Sequence, residues 1–372
     1  MARAPINGTT LSWARAALGV DLHDLARHVA VKVEAAQQWE TGDLHPTVGQ
    51  LRAIADKLER PPAFFFAPPP EAADVPAVPD FRGKHGEGIP TVVLREIKRA
   101  EQYRETLLEL SGVPEGSLEY ISFDRSGLVK AAARLRQELM TGWPAKKPAT
   151  PGEMFNTWRD LLEMHGVLVF QSTRIPLTDY RALSVHHYPY PVILVNGADA
   201  ANGKIFSLFH ELAHLMNRSS GVCMILDNNE VEALCNAFAA EFLMPAVEVR
   251  TFLGVQSPTR PISSVANRFG VSTLAAAIRL RSLGQIDDQA LTDQRAENDA
   301  EWNRARAAMA AKAGNPPPWR LRYRDLGNTY VRTVLTALQT NRIDYLSAAY
   351  MLNARVPMIE KMQQEFHRRG EV

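Results

Sequence analysis

Two spacings of apolar residues alternate along this chain, and the places where they change mark its parts. Apolar positions three and four apart, the signature of one helix face, run through Leu11, Ala14, Ala17 and Leu18, then Leu22, Leu25, Ala26 and Val29, then Leu51, Ile54, Ala55 and Leu58. Asp21 stands where the second of these helices needs an N-terminal cap. Residues 1–70 therefore read as a compact set of short helices. Ala67-Pro-Pro-Pro70, with Pro76 and Pro79 beyond it, has the composition of a stiff linker, placed at 71–90. Leu94, Ile97, Tyr103, Leu107 and Leu110, and then Leu128 to Leu139, give two amphipathic helices in a connector over 91–150.

From residue 153 the pattern shifts. Met154 to His165 reads as a helix stopped by Gly166. Val167 to Phe170, Ala182 to Val185 and Val192 to Val195 are short continuous apolar runs, the last ended by Asn196-Gly197, and read as strands. Two apolar helical stretches follow, Phe206 to Met216 and Glu230 to Met244, the second stopped by Pro245. Ser264 to Leu280 is a helix-Gly-helix unit. After residue 286 the chain is helical and polar, interrupted by Gly314-Asn-Pro-Pro-Pro318, and closes with helices at Tyr330 to Leu338, Tyr345 to Leu352 and Met358 to Phe366. The fold class is thus α+β, mostly helical with a small sheet inside residues 151–285, and 286–372 form a C-terminal helical module.

Composition narrows the setting. Forty-two basic residues against 41 acidic ones leave a formal charge of +1 over 372 residues, so nothing global favours nucleic acid or an anionic membrane. Residues 1–10 lack the apolar core of a signal peptide, and no run approaches the length of a membrane span. A cytoplasmic protein without a membrane partner is expected. The two cysteines, Cys223 and Cys235, are too few for a disulfide framework and are read as packing residues.

The densest chemistry lies in His210-Glu211-Leu-Ala-His214. On a helix, residues four apart share a face, so His210 and His214 can offer two imidazole nitrogens to one Zn²⁺ ion, with Glu211 beside it as a general base for water attacking a carbonyl. Phe206, Leu208, Phe209, Leu212, Ala213, Leu215 and Met216 surround the motif, which predicts a buried helix whose polar groups need partners. His186 and His187 fall between two strands and read as a solvent-facing loop pair, with a third ligand or an oxyanion donor as the other reading.

Two resemblances follow from these patterns. Leu25-Ala26, then Trp39-Glu40 and Gly42, resemble the Xre-type helix-turn-helix, which implies a recognition helix presenting Val33, Glu34 and Gln38. Its chemistry suits DNA poorly. From Val33 to Asp43 there is no Lys or Arg, and over residues 1–70 the basic side chains Arg3, Arg15, Arg27, Lys32, Arg52, Lys57 and Arg60 are cancelled by Asp21, Asp24, Glu34, Glu40, Asp43, Asp56 and Glu59. DNA and a protein partner both stay open for this module.

The second resemblance is to the ImmA/IrrE metallo-endopeptidases, carried by Val195-Asn196, Phe206-Ser207, His210-Glu211-Leu-Ala-His214, and Glu232-Ala233 through Phe238-Ala239 to Leu243-Met244-Pro245. Ser207 stands where the family has Thr, and a Cys interrupts the last motif. The resemblance implies a zincin-like fold, Zn²⁺ on His210, His214 and Glu232, Glu211 as the base, and a repressor or antitoxin as substrate. Helix geometry argues the third ligand separately. Glu232, Asn236, Ala239 and Leu243 share one stripe, while Glu241 points the opposite way and is expected to reach water. Asn236 is placed to hydrogen-bond a ligand from behind. The competing reading is a transcription factor whose metal domain is a sensor or a structural module, with Cys223 as a fourth ligand.

The charge balance of residues 1–70 predicts that this segment by itself binds duplex DNA no tighter than a Kd of about 10⁻⁶ M at physiological salt. Footprinting at nanomolar protein on a defined operator would overturn this.

Overall fold

The computed structural model describes residues 3–17, 20–58, 60, 62–69, 90–114, 116, 118–146, 148–173, 175–217, 221–223, 230–254, 261–311 and 316–368. The linker expected at 71–90 lies outside these residues except for Pro90. The chain divides into two compact units, residues 1–99 and residues 100–372.

In the first unit, α1 (Gly8–Ala17), α2 (Leu22–Val29), α3 (Val33–Thr41) and α4 (Val48–Lys57) are followed by a 3-10 turn at Pro62–Phe66. Each apolar stripe of the sequence turns inward, so that Leu11, Leu25, Ala36, Trp39, Leu51, Ile54 and Phe65 form one core. Asp21 accepts from the His23 amide at the start of α2, and Thr47 and Gln50 make a reciprocal capping box at the start of α4. Gly42 ends α3 at φ +84°, a left-handed position that any side chain would strain. Glu40 pairs with Arg15 of α1 through two hydrogen bonds, at 2.7 and 3.1 Å. The helical arrangement expected of a helix-turn-helix is therefore present, with one correction. Glu34 and Gln38 are exposed on α3, but Val33 is half-buried and packs against the core, so it is not presented as expected.

The second unit takes up α5 (Thr91–Ser111) from Ala100 onward. It continues through α6 (Leu128–Met140) and α7 (Pro151–Met164) into β1 (Leu168–Ser172), β2 (Ala182–Val185) and β3 (Val192–Asn196). Then come α8 (Ala201–Met216), β4 (Gly221–Cys223) and α9 (Glu230–Leu243). The strand order is β1-β3-β2-β4. β1 runs parallel to β3, while β2 is antiparallel to both β3 and β4. The three-residue β4 went unpredicted, because its pairing partner is supplied by the fold and not by any local pattern.

Strands β1, β2 and β3 are buried along their whole length, and a sheet apolar on both faces needs cover on both. Val169, Ala182, Ile193 and Val195 point into the core shared with α7, α8 and α9. On the opposite face, Phe170 of β1 meets Tyr103 of α5 at 5.3 Å and Tyr330 at 5.9 Å between ring centroids. Tyr330 belongs to α15 (Asn328–Gln339), which follows α10 (Ala246–Leu253), α11 (Ile262–Phe269), α12 (Thr273–Ser282), α13 (Asp288–Ala311) and α14 (Pro318–Leu326) and precedes α16 (Tyr345–Met351) and α17 (Val356–Arg368). Residues from α14 onward are thus no separate module: α14 and α15 cover the second face of the sheet.

A buried ion pair fastens this layer. Arg159 and Glu163, one turn apart on α7, have side chains 3% and 1% exposed and meet at 3.0 Å. Arg159 also donates to the carbonyls of Val169, Arg324 and Asp325, and Glu163 accepts from the Thr329 amide at 3.3 Å in the first turn of α15. Replacing Arg159 by Met would leave Glu163 buried with one backbone partner, and breaking one side of such a pair costs about 3–5 kcal/mol. Urea unfolding of Arg159→Met is expected to show that loss, and the Arg159→Met/Glu163→Leu double variant to recover most of it. A single variant within about 1 kcal/mol of the parent would mean the pair does not hold the layer.

Candidate metal centre

Burial of α8 makes the site. From Leu208 to Met216 every side chain is buried, and the helix is gripped by aromatic packing. Phe209 stacks on Phe242 of α9 at 4.0 Å and meets Trp158 of α7 edge-on at 5.0 Å, while Trp158 also contacts Phe242 at 5.4 Å. With α8 and α9 so clamped, the residue after Phe209 must face the groove between the two helices. His210 and His214 do so one turn apart, and Glu232, in the first turn of α9, reaches both. Its two carboxylate oxygens lie 3.0 Å from His210 Nε2 and 3.1 Å from His214 Nε2, and the two Nε2 atoms are 3.2 Å apart.

Zinc bonds of about 2.0–2.1 Å put neighbouring ligand atoms of a tetrahedral site about 3.3 Å apart, and each imidazole nitrogen lies near that distance from the other and from one of the two Glu232 oxygens. The chemistry of the set agrees. Although burial opposes ionisation, hydrogen bonds to the two imidazoles hold the Glu232 carboxyl below its usual range. Burial also opposes charge on His214, but Cys235, Glu232 and Glu211 outweigh it and push the imidazole up to about 11. The trio is therefore an electrostatic well for a cation, and a metal ion placed there takes over from the proton. Asn236 Oδ1 lies 3.0 Å from His210 Nδ1, which fixes the tautomer with Nδ1–H donating to the amide oxygen and Nε2 free to ligate.

Glu211 completes the arrangement. It is wholly buried, and neither carboxylate oxygen has a hydrogen-bond partner among the described residues. Burial pushes its carboxyl above the usual range, partly opposed by His210 and His214 and, more weakly, by the Ser184 hydroxyl. Ser184 stands on β2 on the face turned to α8; its hydroxyl is buried and likewise completes no hydrogen bond. The sequence reading passed over Ser184. The signal was a polar residue inside the apolar run Ala182 to Val185.

The other sequence candidates lie elsewhere. His187 faces Glu101 at 3.3 Å and His186 packs against Tyr120 at 6.4 Å, so neither joins the trio. The side chain of Cys223 is outside the described residues. Glu241 does point away from the metal groove, but it does not reach water. It is 8% exposed, bonded to Arg279 of α12, and accepts from the Ala246 amide at 3.2 Å, where it balances the N-terminal charge of α10. Val33, Glu34 and Gln38 belong to the other compact unit.

Comparison with known proteins relates this centre to peptidases. Residues 162–281 match the family described as the IrrE N-terminal-like domain, Peptidase_M78. Among solved structures the chain is similar to a Mycobacterium tuberculosis transcriptional regulator, at 18% identity and a TM-score of 0.30, over 49% of this chain and 51% of that one. The chain thus spans about half the length of that structure. No curated protein matches the chain.

Metal analysis of purified variants tests the donor set. Glu232→Ala is expected to lose most bound zinc, while Glu241→Gln, which keeps the size of the side chain and one acceptor oxygen for Arg279 on the far side of α9, retains it. Zinc lost from the second variant and kept by the first would reverse the assignment.

Proposed function

We propose that this chain is a zinc-dependent endopeptidase in which His210, His214 and Glu232 hold the metal and Glu211 is the general base, acting on a cytoplasmic regulatory protein of the repressor or antitoxin class. The observation that carries hydrolysis is Glu211. An apolar interior tolerates a carboxylate only with partners, and a carboxylate that completes no hydrogen bond among the described residues, with only the Ser184 hydroxyl near it and two histidines of the candidate metal set on the same helix, has the geometry of a group reserved for substrate and water.

Zinc at such a site supplies a Lewis acid for the scissile carbonyl and acidifies a water molecule. The protein's own groups do the rest. Glu211 takes the proton of the attacking water on a carboxylate oxygen as the carbonyl carbon gains its new C–O bond, and returns it to the amide nitrogen as the C–N bond breaks. Burial suits this exchange by raising the carboxyl toward the working pH. Asn236 keeps His210 oriented without itself touching substrate. Among the described residues three protein donors gather here, and three donors rather than four are the pattern of catalytic zinc.

The regulatory substrate is supported by the helix-turn-helix shape of the first unit. The exposed side chains of α3 include Glu34, Gln37 and Gln38, and α3 has no positive charge, which suits a protein partner better than a phosphate backbone.

Glu211→Gln keeps the shape of the side chain and removes its basicity. The variant is expected to retain zinc and to cleave a susceptible repressor at least about 10²-fold more slowly. Cleavage at the parental rate would remove Glu211 from the mechanism.

A further inference from the structure

Well away from Glu211 in the sequence, helix α14 carries two side-chain rows that neither the packing of the sheet nor the metal centre uses. Trp319 and Tyr323, four residues apart, form an aromatic row, and Arg320 and Arg324 form a cationic row next to it. Both rows line a cavity of about 430 Å³, within the size range of small-molecule sites. Asn156 on α7 forms part of one wall, Arg368 on α17 part of another, and Gly327 and Asn328 at the start of α15 contribute as well.

We propose that this cavity binds a nucleotide, with the base against Trp319 and the phosphate on Arg320 and Arg368.

The charge of the cavity favours an anion. Four arginines line it against two acids, Asp160 and Glu365. Arg159 is spent on Glu163 and three carbonyls, and Arg324 donates twice to Asp325. Arg320 makes no ion pair among the described residues; its guanidinium lies 5.2 Å from the Trp319 ring centre. Among the described residues Arg368 pairs with Glu365 alone, and 72% of its side chain is exposed, so it can turn to a better anion.

The aromatic row distinguishes a nucleotide from a bare anion. Tyr323 is buried and commits its hydroxyl to Asn328 Oδ1 at 2.8 Å, so it offers ring surface only. Trp319 is half-exposed at the mouth, and an aromatic platform beside a guanidinium stacks any base. Asn156 adds an amide that can both donate and accept.

Isothermal titration of the full chain with AMP, GMP, CMP and UMP tests the assignment, with inorganic phosphate and the matching nucleosides as controls. At least one nucleotide is expected to bind at a single site about tenfold or more tightly than either phosphate or its own nucleoside. Arg320→Ala and Trp319→Ala should each weaken it about tenfold without lowering the melting temperature, because both side chains are at the surface. Failure of all four nucleotides to bind at millimolar concentration would overturn the proposal. So would phosphate binding as tightly as the nucleotide, or affinity unchanged in both variants.

Discussion

The metal centre depends on the contact between α8 and α9, and that contact is held by aromatic rings. Phe209 lies flat on Phe242 with Trp158 against both. These large apolar surfaces fix how the two helices are rotated about their axes as well as how far apart they lie. A rotation of α9 by one residue, about 100°, would carry Glu232 out of reach of both imidazoles. The approach of the two Glu232 oxygens to the two imidazole nitrogens, at 3.0 and 3.1 Å, is therefore a consequence of hydrocarbon packing one turn away. The centre is rigid because the core around it is.

The same interior shows what an apolar environment demands of charge. Arg159 and Glu163 are matched to each other and to backbone groups, and Glu241 is matched to Arg279 and the start of α10. Among the described buried carboxylates, Glu211 alone lacks a partner on both oxygens. Satisfied and unsatisfied carboxylates thus stand in one core, and the unsatisfied one lies beside the His210, His214 and Glu232 trio.

The second face of the sheet ties the last part of the chain to the first part of the same unit. Strands buried on both sides cannot stand with one side bare, so α14 and α15 complete a layer that α5 begins, with Tyr103, Phe170 and Tyr330 in mutual contact. Once α14 is anchored by carbonyls that accept from Arg159, the aromatic and cationic side chains with which it lines the cavity are held in fixed positions. A loosely attached helix could not hold those side chains in one arrangement.

The sequence by itself determined the parts whose rules are local. Spacing of four put His210 and His214 on one face, the same arithmetic put Asn236 behind Glu232 and turned Glu241 away, and apolar runs located three strands and nearly every helix. Caps at Asp21 and Thr47 and the left-handed turn at Gly42 follow from side-chain chemistry within a few residues. Only the tertiary structure decided what meets across long stretches of chain. Ser184 reaches the space beside Glu211 because β2 lies under α8, and Glu241 is buried because α12 brings Arg279 to it. Val33 is lost to the core of its own unit, and α14 and α15 join the sheet where the polar sequence after residue 286 suggested a separate module. The physical reason is the same in each case: a periodic pattern states which side of an element is apolar, but the partner for that side is chosen by packing the whole core at once.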